Sequence, residues 1–107
     1  MKFDLHIHSK YSGDSKVDPE DIVKIAEKKG LDGLAILDHN SIEGYNRIKD
    51  MDTDLILVPG IEVSTEQGHV GALGLREEVG RPETVEEAIG IIHEHDAIAV
   101  AVHPYRF

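Results

Sequence analysis

From Lys2 to His8 apolar and polar side chains alternate, with Phe3, Leu5 and Ile7 on one face and Asp4, His6 and His8 on the other. A period of two predicts a strand. Ser9 to Val17 has no period and is rich in Ser, Gly, Asp and Lys, so it reads as a loop. Asp18-Pro19-Glu20-Asp21 is a helix start: a capping acid, proline at the first helical position, then acids in the first turn. Ile22, Val23, Ile25 and Ala26 form its apolar stripe, and Lys28-Lys29-Gly30 ends it. Leu34 to Leu37 is a short apolar run, read as a buried strand that leads directly into Asp38-His39-Asn40. Ser41 to Lys49 predicts a short helix, weakened by Gly44. Leu55 to Val63 predicts a strand bent at Pro59-Gly60, and His69 to Leu75 another, weakened by its glycines. Thr84-Val85-Glu86-Glu87 is a capping box for a helix whose stripe is Ala88, Ile89, Ile91 and Ile92. Ile98 to Val102 predicts a fifth strand, running into His103-Pro104.

Strands that alternate with helices predict parallel βαβ units, an α/β fold whose sheet is covered on both faces. The 107 residues fit one domain, 1–107, without repeats or linkers. Composition narrows the chemistry. No cysteine is present, which excludes disulfides and thiolate metal sites. No run is long and apolar enough for a membrane span, and no signal core opens the chain, so a cytoplasmic protein is expected. A net charge of -10 argues against a broad nucleic-acid surface. A local phosphate site stays open, because divalent ions reverse the field within a cleft.

Metal-type side chains recur at the strand ends: His6 and His8 after the first, Asp38 and His39 after the second, Glu62 at the third, His69 opening the fourth, His103 after the fifth. In parallel α/β folds the carboxyl ends of strands gather on one side and hold the site. Histidines at i and i+2 of a strand point the same way, so both imidazoles can reach one ion. Histidine with carboxylate and no sulfur suits Zn, Mn or Fe. Packing such imidazoles with no partner would be costly, which favours a filled site. Asp14 reads equally as a turn former or a ligand. His93 and His95 lie near the end of a predicted helix, where imidazole meets the helix dipole, and are assigned that structural role.

Four stretches, in order, resemble the PHP (polymerase and histidinol phosphatase) superfamily. Asp4-Leu5-His6-Ile7-His8-Ser9 with Tyr11-Ser12-Gly13-Asp14-Ser15 is similar to its first motif, and Asp38-His39-Asn40 to its second. Gly60-Ile61-Glu62-Val63-Ser64 is similar to the third, and Ala101-Val102-His103-Pro104 to the fourth. The resemblance covers essentially the whole chain and leans toward the small stand-alone branch of metal-dependent phosphoesterases. It implies a distorted (β/α)7 TIM-like barrel with two or three divalent ions at the carboxyl ends of its strands. It further implies that His6, His8, Asp14, His39, Glu62, His69 and His103 are metal ligands, and that Asp38 orients its neighbours. The family's late Asp-x-His motif has no counterpart here, and about five strands cannot close a barrel of seven. The expectation is therefore the N-terminal part of a barrel: a fragment, or a chain that pairs with a second copy or a separate C-terminal half.

The reaction so implied is hydrolysis of a phosphoester on a small metabolite or nucleotide. Hydroxide made available by the ions near neutral pH would attack phosphorus in line. Lys10, Lys16 and Arg106 are the cations nearest the motifs, and Arg106 is the candidate for a bidentate phosphate clamp. The alternatives are an inactive metal-binding or regulatory module, a 3'-5' exonuclease-type PHP domain, and a hydrolase that uses the same hydroxide on carbon.

Overall fold

The computed structural model describes residues 1–101, so Val102, His103 and Arg106 lie outside the described residues. The elements are β1 (Phe3–Ile7), α1 (Pro19–Lys28), β2 (Gly33–Ile36), α2 (Glu43–Ile48), β3 (Ile56–Val58), β4 (Gly60–Thr65), β5 (Gly68–Leu73), α3 (Val85–Glu94) and β6 (Ile98–Ala101). A 3-10 turn, Lys10–Ser12, follows β1.

Parallel βαβ order holds for the first half. β1, β2 and β3 pair in parallel, with α1 and α2 as the crossovers. α1 buries Ile22, Val23 and Ala26 against Leu34, Ile36 and Ile48. Its N-cap is Asp18, but the side chain does not cap the helix; it pairs with Lys10 Nζ at 2.7 Å. Lys10 is thereby occupied by a carboxylate.

The second half departs from the parallel expectation. β4, β5 and β6 form an antiparallel sheet. The cause is local: Glu66-Gln67 is a two-residue connection, too short for any crossover and suited only to a hairpin. Thr65 Oγ1 closes it by donating to the Gly68 carbonyl at 2.7 Å and accepting from the Gln67 N–H at 3.0 Å. The expected strand over Leu55 to Val63 is one path broken at Pro59, whose two parts enter different sheets. Gly60 is required at the break, since a Cβ there would strike the Leu37 side chain and lie 2.8 Å from the Ala72 carbonyl oxygen. There are thus six strands among the described residues rather than about five.

One parallel bridge, His39 to Glu62, joins the sheets. Glu62 N–H donates to the Asp38 carbonyl at 2.9 Å, and Asn40 N–H to the Glu62 carbonyl at 3.0 Å. A second core cluster lies under the antiparallel sheet, where α3 packs Ala88 and Ile92 against Ile61, Val63, Val70 and Ala72. Thr84 caps α3 as its capping box predicts, accepting from the Glu87 N–H at 3.1 Å. β1 is less covered than its alternation implies: Leu5 is 43% exposed and lines, with Ile25 and Val17, a groove of about 720 Å³ beside α1. No helix among the described residues is long and apolar enough to cross a membrane.

Candidate metal centre

His6 of β1 and His8, the residue just beyond it, both reach the same carboxylate, as a period of two allows. His6 Nε2 lies 2.6 Å and His8 Nε2 3.0 Å from Glu62 Oε1. The other oxygen of the same carboxylate, Oε2, meets His39 Nδ1 at 3.0 Å and His69 Nδ1 at 2.9 Å. Asp14 comes in from the loop after β1. Its Oδ2 lies 3.0 Å from His8 Nδ1 and 3.2 Å from His39 Nε2. His8 and His39 each therefore use both ring nitrogens, one toward Glu62 and one toward Asp14.

The topology explains the gathering. β1 and β2 run parallel, so His8 and His39 leave at one end. The bridge beside Asp38 sets Glu62 alongside. The hairpin places the start of β5 at the end of β4, pairing His69 with Ser64. A residue that opens a strand thus joins residues that follow strands, and Glu62, expected at a strand end, instead stands inside β4, because that strand continues to Thr65. Six of the expected ligands come together in three overlapping groups: His6, His8 and Glu62; His8, Asp14 and His39; His39, Glu62 and His69. Within each group the donor atoms lie inside 4.8 Å of one another. The seventh, His103, lies outside the described residues, as does Arg106.

The donor set fits divalent cations. Ring nitrogens face one another at 3.2 Å between His6 and His8, and again between His39 and His69. All four surround a carboxylate that is fully buried. Such convergence of nitrogen and oxygen lone pairs is what an imidazole–carboxylate site for a divalent cation presents. Burial alone would push the Glu62 carboxyl up, but hydrogen bonds from His8 and His6 and the nearby His39 outweigh it and hold the group below its ordinary value. His8 shows the counterpart: burial lowers it, and Glu62 and Asp14 together raise it above the usual imidazole value. Asp14, pushed up by burial, is drawn below its ordinary value by Ser12, His8 and His39.

Asp38 takes no place in the three groups. It is fully buried and accepts from Ser9 N–H at Oδ1 and Ser9 Oγ–H at Oδ2, both at 2.5 Å. Burial raises its carboxyl, and the Ser9 bonds only partly offset this. Gly44, which lowers helix propensity, packs its bare Cα side against this pair. That role has no sequence signal beyond a glycine placed inside a helix. Asn40 adopts φ 56°, a left-handed conformation that Asn tolerates. Its side chain accepts from Ser64 N–H at 2.9 Å and donates to Ser64 Oγ at 3.0 Å. Ser9, Asn40 and Ser64 stand in the motifs, yet their pairings could not be read from spacing. His95 closes α3, 2.8 Å from the Ile91 carbonyl oxygen and 3.0 Å from Glu77, in keeping with a structural role.

A family model described as PHP domain matches residues 4–100. An uncharacterized protein of Methanocaldococcus jannaschii is 39% identical over 117 aligned positions, which take in 98% of this chain and 68% of that protein. A 5'-3' exoribonuclease of Haemophilus influenzae is 36% identical over 66 positions, 60% of this chain and 24% of that protein. Among solved structures, a two-domain protein from Bacteroides vulgatus containing a predicted PHP-like metal-dependent phosphoesterase superposes with a TM-score of 0.68. The match is at 22% identity over 92% of this chain and 34% of the other. The chain therefore spans about a third of that solved protein, and its mixed α/β fold is shared with it.

Proposed function

Because the chain belongs to the PHP domain family, we propose that its clustered histidines and carboxylates hold two or three divalent ions, Zn, Mn or Fe, for the hydrolysis of a phosphoester on a small metabolite or nucleotide. One observation carries the reading. The two oxygens of buried Glu62 face two different histidine pairs, His6 with His8 and His39 with His69, so one carboxylate can serve adjacent ions.

Bound ions would supply positive charge against the phosphoryl oxygens and acidify a water for in-line attack. The chain's own residues set where that happens. Glu62 fixes the spacing, because its carboxylate cannot shift without losing contact with one histidine pair. His8 and His39 extend the array toward Asp14, which is half exposed and stands on the solvent side. Asp38 acts from behind, through Ser9. Arg106 is proposed on its sequence position as the phosphate clamp. The acidic balance of the chain supports a small substrate over a long nucleic acid. The same proposal takes the described strands as the opening part of a distorted (β/α)7 barrel, a reading supported by the match to the PHP family and by the parallel βαβ order of β1 to β3.

The test is metal content by elemental mass spectrometry, followed by turnover of p-nitrophenyl phosphate and its bis-ester with added Mn or Zn. The parent is expected to bind at least two ions and turn over one ester, with Glu62→Ala at least about a hundredfold slower. Arg106→Ala is expected to raise KM. A parent that binds ions and hydrolyses no phosphoester would instead be a metal-binding module.

A further inference from the structure

We propose that Ser9, Asp38 and Gly44 form a buried lock that positions His8 against His39, and that it governs the His8–Asp14–His39 group in particular. The inference rests on the metal-centre reading above. It starts from how the two parallel strands are joined. The β1–β2 register ends at Ile7 and Ile36, with Leu37 N–H donating to the Ile7 carbonyl at 2.7 Å. Beyond that point each strand continues into a ligand-bearing loop. Besides the contact between Asp14 and His39 themselves, two side-chain attachments hold the loops together: Asp38 with Ser9, and the His39 N–H with Ser12 Oγ at 3.0 Å.

The Asp38–Ser9 pair is the buried one, with both residues fully inaccessible. Ser9 directly follows His8, and Asp38 directly precedes His39. The carboxylate therefore ties the backbone beside one ligand to the backbone beside the other. Ser9 Oγ does a second thing: it accepts from the Tyr11 N–H at 3.3 Å and so starts the 3-10 turn that leads toward Asp14. Gly44 completes the lock from α2. A Cβ at 44 would lie 3.0 Å from Ser9 Oγ and closer still to Asp38 Oδ2, so only glycine lets the pair sit where it does.

The lock's influence is local because the remaining junction is made differently. β4 is held to the end of β2 by backbone bonds from Glu62 N–H to the Asp38 carbonyl and from Asn40 N–H to the Glu62 carbonyl. The Asn40–Ser64 side-chain pair reinforces it. None of these uses Ser9. The His39–Glu62–His69 group thus keeps its geometry when the lock is opened, whereas His8 and Asp14 lose their common anchor.

Ser9→Ala removes the hydroxyl half of the lock, the bonds of Ser9 Oγ to Asp38 and to the Tyr11 N–H, without touching a ligand, and leaves the Ser9 N–H bond to Asp38 in place. The parent, Ser9→Ala and Asp38→Asn are loaded with Zn or Mn and dialysed against graded chelator. Bound metal is then read by elemental mass spectrometry and the fold by circular dichroism. In Ser9→Ala one ion is expected to weaken by about 10–100-fold while at least one other keeps its parental affinity, with the spectrum unchanged. Asp38→Asn keeps an oxygen for the Ser9 N–H and can turn its amide toward Ser9 Oγ. It is expected to stay within about threefold of the parent, a rescue that reports hydrogen bonding rather than charge. Cobalt substitution gives a second readout, a changed visible spectrum for one site only. If every ion weakens equally, or if Ser9→Ala retains all ions at parental affinity, the proposal is overturned. If Ser9→Ala does not fold, Asp38→Asn decides: an ion lost there despite a native spectrum refutes the hydrogen-bonding lock. A parent that binds no ion sinks the metal-centre reading and the lock with it, an outcome distinct from a loaded parent with indifferent variants.

Discussion

Gly44→Ala sets two effects of opposite sign against each other. In an exposed helix interior the change stabilises by about 1 kcal/mol, because alanine has less backbone entropy to lose. Gly44 is buried, and its Cβ would meet Ile36 Cγ2 at 2.9 Å and Ser9 Oγ at 3.0 Å, with Asp38 Oδ2 nearer than either. Only the last two atoms belong to side chains free of the strand core, and both are locked to each other. Overpacking of this kind costs about 1–3 kcal/mol. A displaced Asp38 that loses its Ser9 hydroxyl bond in a buried setting costs about 1–3 kcal/mol more. The net expectation is destabilisation of about 1–5 kcal/mol; the central value of about 3 kcal/mol corresponds to roughly 12–24 °C in Tm for a domain of this size. The assay is urea unfolding of chelated protein followed by circular dichroism, with the slope checked to be unchanged. Gly90→Ala in α3 is the internal control. A Cβ there meets nothing within 4 Å, so that variant is expected to gain about 0.5–1 kcal/mol. If Gly44→Ala is as stable as the parent, or tracks Gly90→Ala upward, the packing account of Gly44 and Asp38 is wrong.

Glu62→Gln keeps the shape of the side chain but removes its charge, and is expected to lose at least one bound ion on dialysis; full parental loading, counted by elemental mass spectrometry, would contradict a shared carboxylate. Asn40→Ala is expected to unfold at lower urea than Asn40→Gly by about 1 kcal/mol, since both lose the Ser64 bonds but only alanine strains at φ 56°; equal midpoints would remove the backbone part of that explanation. The His95 imidazole is raised above its ordinary value by its bond to the Ile91 carbonyl, which outweighs the opposing effect of burial, and Glu77 and Glu94 raise it further. Its contribution to stability is therefore complete below the unfolded value and lost as pH rises through the folded one. NMR titration is expected to place His95 above a free imidazole, and His95→Gln to flatten that part of the stability profile; a His95 that titrates at or below the ordinary value would remove the cause.

Much of the site was legible because its signals are short and local. Alternation in Lys2 to His8 placed two imidazoles on one face, and that placement does not depend on what the strand pairs with. Asp38-His39 follows an apolar run, which marks it as a strand-end pair before any fold is known; Glu62 looked like the same kind of residue but stands inside β4, which runs on to Thr65. Asp14 was not legible from its loop alone, since a turn former and a ligand look alike there; the motif resemblance carried it. His69 depended on a hairpin whose two-residue turn, Glu66-Gln67, went unread behind the glycines of β5. The expectation of an all-parallel sheet failed at the same place, and the uneven cover of β1, with Leu5 and Ile25 open, likewise went unread.

The sequence by itself determined which side chains could serve as donors, the period that aims them, the proline that starts α1 and the cap that starts α3. These depend on contacts within a few residues, so they survive any choice of partner strand. Only the tertiary structure decided that one buried carboxylate would stand between four histidines. Only it decided, too, that Asp38 would spend its charge on Ser9, and that Gly44 would be a packing requirement rather than a weak point in a helix. Each of those brings together residues from separate elements, Ser9 with Asp38 and His6 and His8 with Glu62 among them, where the outcome depends on strand register and close packing, and neither leaves a pattern in composition or spacing.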